Sequence, residues 1–508
     1  MKKLLFLFAG LMAFTMMQAQ NPGDLDIEFG NNGIVQTDFT HNVDAPTSVF
    51  VLDDGKIITI GTTWINYSAS IFVARYTADG ALDATYGDNG VVFFKPYAGS
   101  NNYAWETVLL EDESLIIAGH AFVNPKCNVI LLKVNPDGSL DGTFGNGGFA
   151  QYTDSRNIVI KCCGVQADGK IVLGGYCDDD FCAIRFNANG TVDTTFGDNG
   201  MFYKNDMGPN DSFVESLTIQ EDGKIVLAGW AIQSHAYNFY ESVVARLDEQ
   251  GNLDLSFGEG GYIIFDVNDD LDSAHDVEVL ADGKILINGY YHIYDENNLR
   301  YGIYLNRRNE DGSIDTSFGT NGFAKKEFVA YAENYSEDMV IAEDGTIFCA
   351  GNTRVTGQRV LITSFLENGE INTEFGNEGC AIMDFTGFQS DSQALTMQPD
   401  GKIVVAGYVF DNDGSDLMLA RFHTGILTFI EDNEIEALQA YPNPCTDYVK
   451  FESLDNNTSA NVYDVMGRLV MQAQLSADGS LNVAALSEGR YFVELINANQ
   501  TLKSTFVK

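Results

Sequence analysis

The chain has 508 residues and carries 72 Asp and Glu against 29 Lys and Arg, a formal net charge of −43. Because this charge is spread along the sequence, nucleic acid and anionic membrane surfaces are excluded as partners, since both would repel the chain. Hydrophobic residues make up 45% and aromatic residues 12%, which excludes a globally disordered protein, and 50 Gly against 9 Pro favours short strands joined by tight turns.

The first residues predict export. Lys2 and Lys3 form a positive region, residues 4–17 form a short apolar segment, and Ala19 is a small residue before a cleavage point at Gln20. We therefore expect residues 1–19 to be a signal peptide and the mature chain to pass through the periplasm. No later segment has the apolar length that a membrane helix needs, so no transmembrane span is expected in the mature chain.

Two phrases indicate an internal repeat. The turn phrase LDxxFGxxG occurs seven times, and its copies start between 52 residues apart (141 to 193) and 61 residues apart (193 to 254), a spacing typical of four-stranded propeller blades. The second phrase, Asp-Gly-Lys before an Ile-rich or Val-rich run, predicts a tight hairpin because Gly accepts the positive φ of such a turn. The turn phrases span residues 26–33, 83–90, 141–148, 193–200, 254–261, 315–322 and 372–379; the hairpins begin at Asp54, Asp168, Asp222, Asp282, Asp344 and Asp400, and the second unit has Glu113-Ser114 instead.

Each unit is interpreted as four short strands, which in the second unit are residues 91–95, 106–110, 115–119 and 129–134. A basic residue precedes the Asp of the turn phrase by eight positions, which predicts an ion pair at the strand end. The pairs are Arg75/Asp83, Lys133/Asp141, Arg185/Asp193, Arg246/Asp254 and Arg307/Asp315, whereas the sixth unit loses both members together and has Ser364 and Asn372.

The two ends of the array complement each other. The last unit has Arg421 without a following Asp, and the N-terminus has Asp26 without a preceding Arg. Joining them gives a seventh pair, so we predict an all-β, seven-bladed β-propeller over residues 20–425 that is closed by its own termini. Closure also removes the exposed strand edges of a linear β-array. The alternative is an open β-solenoid with two ragged ends, which the complementary termini disfavour.

These phrases resemble the delta-60 repeat, a family of bacterial β-propeller repeats, and the resemblance covers about residues 24–422. The spacing is specific in combination with the DGK, aRxxxDG and LDxxFGxxG phrases. The resemblance implies a propeller and no fixed activity.

After Arg421 the repeat stops. Residues 426–438 are interpreted as an acidic linker. Residues 439–508 contain strand-like runs at 448–451, 460–464, 469–475, 481–483, 490–497 and 501–507, with turns at Gly467 and Gly489. This pattern predicts a small immunoglobulin-like β-sandwich.

The same segment resembles the type A C-terminal sorting domain of type IX secretion. The landmarks are Tyr441-Pro442-Asn443-Pro444, the run 462–468, the run 486–491, and Lys503 with the end 506–508. The resemblance implies passage across the outer membrane of a Bacteroidota-type cell, with the type IX secretion machinery as a partner. Removal of the domain would release the protein or leave it attached at the cell surface.

Motifs that carry chemistry are missing from the sequence. The six His form no metal-spaced pair, and no GxSxG elbow occurs. We predict no catalytic, cofactor-binding or metal-binding residue, and we interpret the recurring Asp as turn and ion-pair elements. Acidic clusters at 178–180, 266–272 and 411–416 are candidates for Ca²⁺, with solvated loops as the favoured alternative.

The cysteines leave one question open. A disulfide between Cys177 and Cys182 is compatible with an oxidising compartment, and free thiols are equally compatible. Cys162 and Cys163 are adjacent, so on a strand they would point to opposite faces.

Aromatic residues gather in the loops that vary between units, on the face of the ring opposite the Asp-Gly hairpins. The predicted binding face consists of Trp64, Trp105, Trp230, Tyr237, Tyr240, Tyr290 and Tyr291. Variable loops on a rigid scaffold are favoured binding positions, although these rings could instead pack over the blade ends. The leading hypothesis is a secreted or cell-surface binding or adhesion module for glycans or surface proteins. Its alternatives are a secreted carbohydrate-active enzyme, which would gather two or three carboxylates in one cleft, and a structural surface-layer element.

Overall fold

The computed structural model describes residues 21–123, 126–205, 211–234, 239–268, 271–295, 298–327, 333–354, 357–385, 388–410, 414–426, 440–451, 458–464, 468–487, 489–496 and 501–508. The predicted signal peptide and residues 427–438 of the predicted linker lie outside these ranges. All regular secondary structure in these ranges is β-strand, which confirms the all-β fold. No helix in the described ranges is long and apolar enough to cross a bilayer.

Seven antiparallel sheets of four strands each precede residue 423. The N-terminal strand is β1 (Ile34–Thr37). The first sheet contains β2 (Asp44–Val51), β3 (Ile57–Ile65), β4 (Ser68–Tyr76) and β5 (Val91–Phe94). The second contains β6 (Asn101–Leu109), β7 (Leu115–Val123), β8 (Lys126–Val134) and β9 (Phe149–Tyr152). The third contains β10 (Ile158–Val165), β11 (Ile171–Cys177), β12 (Asp180–Phe186) and β13 (Met201–Lys204).

The remaining four sheets repeat this order. The fourth contains β14 (Ser212–Ile219), β15 (Ile225–Ser234), β16 (Phe239–Leu247) and β17 (Tyr262–Phe265). The fifth contains β18 (Asp272–Val279), β19 (Ile285–Asp295), β20 (Asn298–Arg308) and β21 (Phe323–Glu327). The sixth contains β22 (Asn334–Ile341), β23 (Ile347–Thr353), β24 (Arg359–Phe365) and β25 (Cys380–Met383), and the seventh contains β26 (Ser390–Met397), β27 (Ile403–Phe410), β28 (Ser415–Phe422) and β1.

The sheets are offset by one strand from the units defined in the sequence. Strand β5, which opens the second sequence unit, pairs with β4 and completes the first sheet. The turn phrase at 83–90 causes this offset because it folds the chain straight back onto the preceding strand. The seventh sheet therefore lacks a fourth strand of its own, and β1 supplies it by pairing Ile34 with Ala420.

Contacts between sheets follow a cycle. The first strand of each sheet contacts the first strand of the next, from β2 and β6 through to β22 and β26, and β26 contacts β2. The pairing of β1 with β28 and the contact of the seventh sheet with the first support the predicted closure by the termini. The first strands are therefore the innermost ones, and they surround the axis.

The eight-residue spacing brings opposite charges together at the strand ends. The distances are 2.9 Å for Arg75–Asp83, 3.1 Å for Lys133–Asp141, 2.8 Å for Arg185–Asp193, 2.9 Å for Arg246–Asp254, 2.8 Å for Arg307–Asp315 and 2.8 Å for Arg421–Asp26. In the sixth unit a hydrogen bond replaces the ion pair, and Asn372 Nδ2 donates to Ser364 Oγ at 3.1 Å. In the five pairs that contain Arg, the aromatic residue of the turn phrase packs under the guanidinium, as with Tyr86, whose ring centroid lies 4.5 Å from that of Arg75.

Hydrophobic clusters fill the spaces between neighbouring sheets. Cys162 packs with residues of the fourth sheet and Cys163 with residues of the second, because adjacent strand residues point to opposite faces. All eight cysteines are free thiols, Cys177 and Cys182 among them, and both of these are fully buried.

The C-terminal segment has its own core. A three-stranded sheet contains β29 (Ala440–Tyr441), β30 (Tyr448–Phe451) and β33 (Ser480–Asn482). A four-stranded sheet contains β31 (Ser459–Tyr463), β32 (Leu469–Gln474), β34 (Arg490–Ile496) and β35 (Thr501–Val507). Val449 and Leu481 of the first sheet and Val462 and Val493 of the second belong to one buried cluster, as expected for a sandwich.

Candidate functional site

Each of the seven innermost strands contains one β-bulge at the same place. At a bulge one residue has no partner on the neighbouring strand, which re-aims its side chain and increases the local twist. The residues without a partner are Thr47, Trp105, Lys161, Glu215, His275, Glu337 and Gln393, which we call the bulge ring. All seven are only partly buried.

The sequence contains a signal for this ring that its analysis missed. In every unit the bulge residue lies seven positions before the Asp of the hairpin, and a Gly lies seven positions after that Asp. Glu215, Asp222 and Gly229 show this spacing. The Gly is required because the bulge pushes a carbonyl toward it: a Cβ on Gly229 would lie 1.8 Å from the Phe213 carbonyl oxygen. The repeated Gly therefore indicates in the sequence where each bulge lies, and the position of the bulge identifies the residue at the axis.

Two ion pairs form one side of the bulge ring. Lys161 Nζ lies 3.5 Å from Glu215 Oε2 and 4.2 Å from the centroid of the Trp105 ring. His275 Nδ1 lies 3.3 Å from Glu337 Oε2. These residues come from five different sheets, so the ring joins side chains that are far apart in the sequence.

The ion pairs shift the pKa values of their members. Burial acts to lower the pKa of His275, but its contact with Glu337 outweighs burial and raises it. Burial acts to raise the pKa of Glu337, and the hydrogen bond and charge of His275, with a contribution from Lys161, lower it. The charge of Lys161 in the third sheet thus acts on Glu337 in the sixth, two residues far apart in the sequence.

A deeper layer of carboxyls lies one residue beyond the bulge. Ser48 Oγ donates to Glu106 Oε1 at 3.1 Å, and Ser216 Oγ donates to Asp276 Oδ1 at 2.8 Å. The backbone N–H of Leu395 donates to Asp338 Oδ2 at 2.8 Å. Each bond joins two neighbouring sheets. Burial raises the pKa of Glu106 to about 7 and also raises the pKa values of Asp276 and Asp338.

Aromatic side chains surround the axis on the side of the variable loops. Two positions in each sheet are involved: the residue two before the bulge, and its partner on the second strand. In every sheet but the first, at least one of these two residues is aromatic. We call the aromatic ones the aromatic collar: Tyr103, His120, Tyr176, Phe213, Trp230, Tyr290, Tyr335 and Tyr408. Ring centroids are 4.3 Å apart for Phe213–Trp230, and contacts between sheets are 4.5 Å for Tyr176–Phe213 and 4.9 Å for Tyr290–Tyr335. The first sheet interrupts the collar with Ala45 and Thr62.

Trp230 connects the collar to the bulge ring. Its indole Nε1 donates to Glu215 Oε1 at 3.0 Å, while Tyr240 packs on the indole with ring centroids 4.7 Å apart. Both oxygens of Glu215 are therefore engaged, one by Trp230 and one by Lys161. The collar rings are half-buried except for His120, which is 8% exposed.

The residues of the predicted binding face are divided by the structure. Trp105 belongs to the bulge ring, Trp230 and Tyr290 to the collar, and Tyr240 packs beside them. Trp64 is half-buried and lies two residues farther along β3 than Thr62, nearer the turn between β3 and β4. Tyr237 lies outside the described residues.

Tyr291 does not belong to this face. It is 1% exposed and packs in the core between the fourth and fifth sheets. The physical reason is strand alternation, since adjacent Tyr290 and Tyr291 must point to opposite faces. The charged members of the site, Lys161, Glu215, His275 and Glu337, were not predicted.

The acidic clusters are mainly engaged in local hydrogen bonds. Asp180 accepts from the Tyr203 hydroxyl at 2.6 Å, and Asp272 is 1% exposed and accepts from the backbone N–H groups of Val267 and Ser242. Asp416 lies with Asp38 and Asp44 in a group whose carboxylate oxygens are within 4.8 Å of one another. The Asp44 oxygens also accept from the Phe39 N–H and the Thr63 hydroxyl, and those of Asp416 from Gln36. Residues 411–413 of the third cluster lie outside the described ranges.

Solved structures with a similar chain course are distant. PorZ, described as an essential bacterial surface component of the type-IX secretion system of Porphyromonas gingivalis, matches with 11% identity and a TM-score of 0.25, over 91% of this chain and 81% of that one. A protein of unknown function from Dyadobacter fermentans matches with 10% identity and a TM-score of 0.39, over 77% and 99%. Sqt1 from Chaetomium thermophilum matches with 10% identity and a TM-score of 0.42, over 74% and 85%. No curated protein matches the sequence.

Two family models match different parts of the chain. A β-propeller domain of unknown function, DUF5122, matches residues 52–86, 111–144, 166–196, 220–257 and 398–425. The units with hairpins at Asp282 and Asp344 are not among these ranges. A secretion system C-terminal sorting domain matches residues 439–508, which indicates export to the cell surface or the extracellular space by type IX secretion. The chain therefore carries β-propeller repeats of the DUF5122, delta-60 type, followed by a type IX secretion C-terminal sorting domain.

Proposed function

We propose that the exported protein is a binding module and that its ligand binds at the axis, between the aromatic collar and the bulge ring. The collar lies on the variable-loop side of the ring, because the innermost strands run from that side toward the Asp-Gly hairpins. A ligand would therefore enter from the variable-loop face and reach Lys161, Glu215, His275 and Glu337 at the end of its path.

One observation carries this proposal. The seven bulges are structurally equivalent, yet they present six residue types, whereas the flanking turn phrases are nearly uniform. A ring built only for packing would need no such variety at the one position where the backbone turns a side chain toward the axis. Bulges are over-represented beside functional sites for this reason. Apolar and aromatic walls with a few polar groups at the base are typical of ligand sites.

The alternative of a carbohydrate-active enzyme gains one supporting observation, because several carboxyls do converge at the axis. Glu215, however, has both oxygens engaged, and Glu337 is paired with His275. The deeper Glu106, Asp276 and Asp338 are hydrogen-bonded to neighbouring sheets. A general acid–base pair needs a carboxyl within reach of the substrate proton, so binding is the favoured function, and turnover of a labelled polysaccharide panel would establish the alternative.

Binding is tested with the mature exported protein against panels of immobilised glycans, defined peptides and purified surface proteins. We expect Trp230→Ala and Glu215→Gln to weaken binding, because they remove a collar ring and an axial charge. Tyr67→Ala is the matched control: this aromatic lies in the turn between β3 and β4 on the same face and is 96% exposed. If Tyr67→Ala removes binding while Trp230→Ala and Glu215→Gln leave it unchanged, the ligand contacts the loops and the axial site is wrong.

A further inference from the structure

Resting on the proposed function, we infer that the axial site receives the terminal residue of a neutral glycan, which enters end-on from the variable-loop face. The inference deepens the proposal by assigning the ligand's chemistry and its direction of entry. Four features carry it: unpaired neutral polar groups, a bulge ring whose glutamates are already paired, the aromatic collar and the enclosure of the axis.

The neutral polar groups come first. Trp105 Nε1, His120 Nδ1 and both ring nitrogens of His292 are buried and have no hydrogen-bond partner among the described residues. His120 stacks on Trp105 with ring centroids 5.9 Å apart. His292 lies 5.8 Å from Tyr290 of the collar. Buried polar atoms are nearly always paired in folded proteins, so unpaired ones beside the partly exposed bulge ring and collar point to a ligand that pairs them.

The protonation of these histidines defines what they can bind. Burial lowers the pKa of His120 to about 4, with a contribution from the charge of Lys161. Burial lowers the pKa of His292 to about 4 as well. Both imidazoles are therefore neutral at physiological pH, and each offers one donor and one acceptor nitrogen. Hydroxyl groups also donate and accept, so a polyhydroxy ligand complements this set.

Both glutamates of the bulge ring are already paired. Each of its two glutamates has a basic partner, Lys161 for Glu215 and His275 for Glu337. A ligand amine would have to displace one of these partners, and a ligand carboxylate would be repelled by both glutamates and by the chain's net charge of −43. A neutral ligand binds without disturbing either pair.

The aromatic collar supplies the apolar surface that a sugar requires. A pyranose ring presents C–H groups on its faces, and these pack on accessible aromatic rings. Trp230, Tyr290 and Tyr335 are each half-buried, so part of each residue remains accessible to a ligand. Amphipathic aromatics of this kind combine apolar area with a polar edge.

The direction of entry follows from the ring of sheets. The seven innermost strands surround the axis in an unbroken cycle of contacts. A polymer cannot cross such a ring sideways, and the hydrogen-bonded carboxyls Glu106, Asp276 and Asp338 lie beyond the bulge ring. A glycan chain therefore reaches the bulge ring only with its end.

The test measures the affinity of the exported protein for oligosaccharides by calorimetry and fluorescence anisotropy. The probes are neutral gluco-, manno- and galacto-oligosaccharides of two to eight residues, with chitosan and alginate oligosaccharides as charged comparators. We expect a neutral series to bind and Trp230→Ala to weaken its affinity about tenfold, roughly the loss of one stacking contact. Trp105→Phe, which removes the indole N–H but keeps an aromatic ring, should weaken the same series, and Tyr67→Ala should change it less than twofold.

The outcomes separate the inference from the proposed function. Affinity that keeps rising with chain length beyond three residues, or tighter binding of the charged oligosaccharides, contradicts the neutral end-on mode. Binding of a defined peptide that Trp230→Ala abolishes, without binding of any glycan, overturns the inference and leaves the axial binding module standing. Ligand binding that no axial variant changes overturns both.

Discussion

The contact between Asp26 and Arg421 joins the two ends of the repeat array, and its removal tests how the array is held closed. Asp26 is 2% exposed and Arg421 is 7% exposed. Two guanidinium nitrogens of Arg421 approach Asp26 Oδ2 at 2.8 Å, and Lys402 Nζ lies 3.2 Å from the same oxygen. Burial acts to raise the pKa of Asp26, but the Glu28 N–H and the two cations outweigh it and lower the pKa.

We expect Asp26→Asn to lower the free energy of unfolding by about 3 kcal/mol. Breaking a buried ion pair from one side costs about 3–5 kcal/mol, because the remaining charge stays buried without a partner. Asparagine keeps the side-chain oxygen that accepts from the Glu28 N–H at 3.1 Å, which places the expected cost at the lower end. Since Asp26 also anchors the chain just before β1, hydrogen exchange in residues 34–37 should rise more than in β5 (Val91–Phe94).

The sixth unit provides the compensating variant. There the three corresponding residues are Asn372, Ser364 and Thr346, and the first two form a neutral hydrogen bond. The triple variant Asp26→Asn, Arg421→Ser, Lys402→Thr copies this arrangement and leaves no uncompensated charge. We expect it to recover about 2 kcal/mol of the loss, since neutral replacement of a buried ion pair is often close to neutral for stability.

Both variants are measured by urea unfolding followed by fluorescence and far-ultraviolet circular dichroism. An Asp26→Asn variant within about 0.5 kcal/mol of the parent, the usual range for an ordinary surface change, refutes the role of the pair in closure. A triple variant no more stable than the single one refutes the explanation by uncompensated charge.

Three further predictions concern the bulges, pH and export. Gly229→Ala should destabilise the protein by about 1–3 kcal/mol, because its Cβ would lie 1.8 Å from a carbonyl oxygen. The control is Gly142→Ala, where a Cβ meets no atom within 4 Å and the urea midpoint should stay unchanged. Equal midpoints for the two variants would contradict the bulge geometry. Burial raises the pKa of Asp272 to about 7, so its folded state binds a proton more tightly than the unfolded state and stability should fall as pH rises from about 4 to 7. Asp26, with its lowered pKa, contributes stability above pH 4 that is lost in more acid solution, so the free energy of unfolding should peak at about pH 4. Asp272→Asn should flatten the fall above that pH; a monotonic rise to pH 8 would contradict this assignment. Deletion of residues 439–508 should retain the protein in the periplasm, whereas the full chain should yield a surface or medium product that begins at Gln20 and lacks this segment; equal recovery of both forms outside the cell would show that the segment is dispensable for export.

The fold was predictable because its signals are local and repeated. Asp-Gly hairpins, turn phrases and their glycines act over a few residues, and seven copies make the pattern unambiguous. The link between Asp26 and Arg421 was also predictable, because each residue lacked the partner that the other units have. The C-terminal strands lie within one or two residues of their predicted positions for the same reason, since short turns define their ends.

Membership of the site was not predictable from residue type. Because both are aromatic, Tyr290 and Tyr291 were both assigned to the predicted binding face. Only the strand register shows that Tyr290 belongs to the collar and Tyr291 to the core. Lys161, Glu215, His275 and Glu337 are ordinary charged residues in a chain rich in charge, and only their spacing from the hairpin Asp and the following Gly marks them.

The amino-acid sequence by itself determined the all-β repeat, its hairpins and turn ion pairs, and the C-terminal segment associated with export, because each depends on residues close together along the chain. The tertiary structure decided which side chains meet at the axis. That decision depends on a bulge in the innermost strand of each sheet, and on a cycle of sheets that brings Trp105, Lys161 and Glu215 together, and His275 together with Glu337.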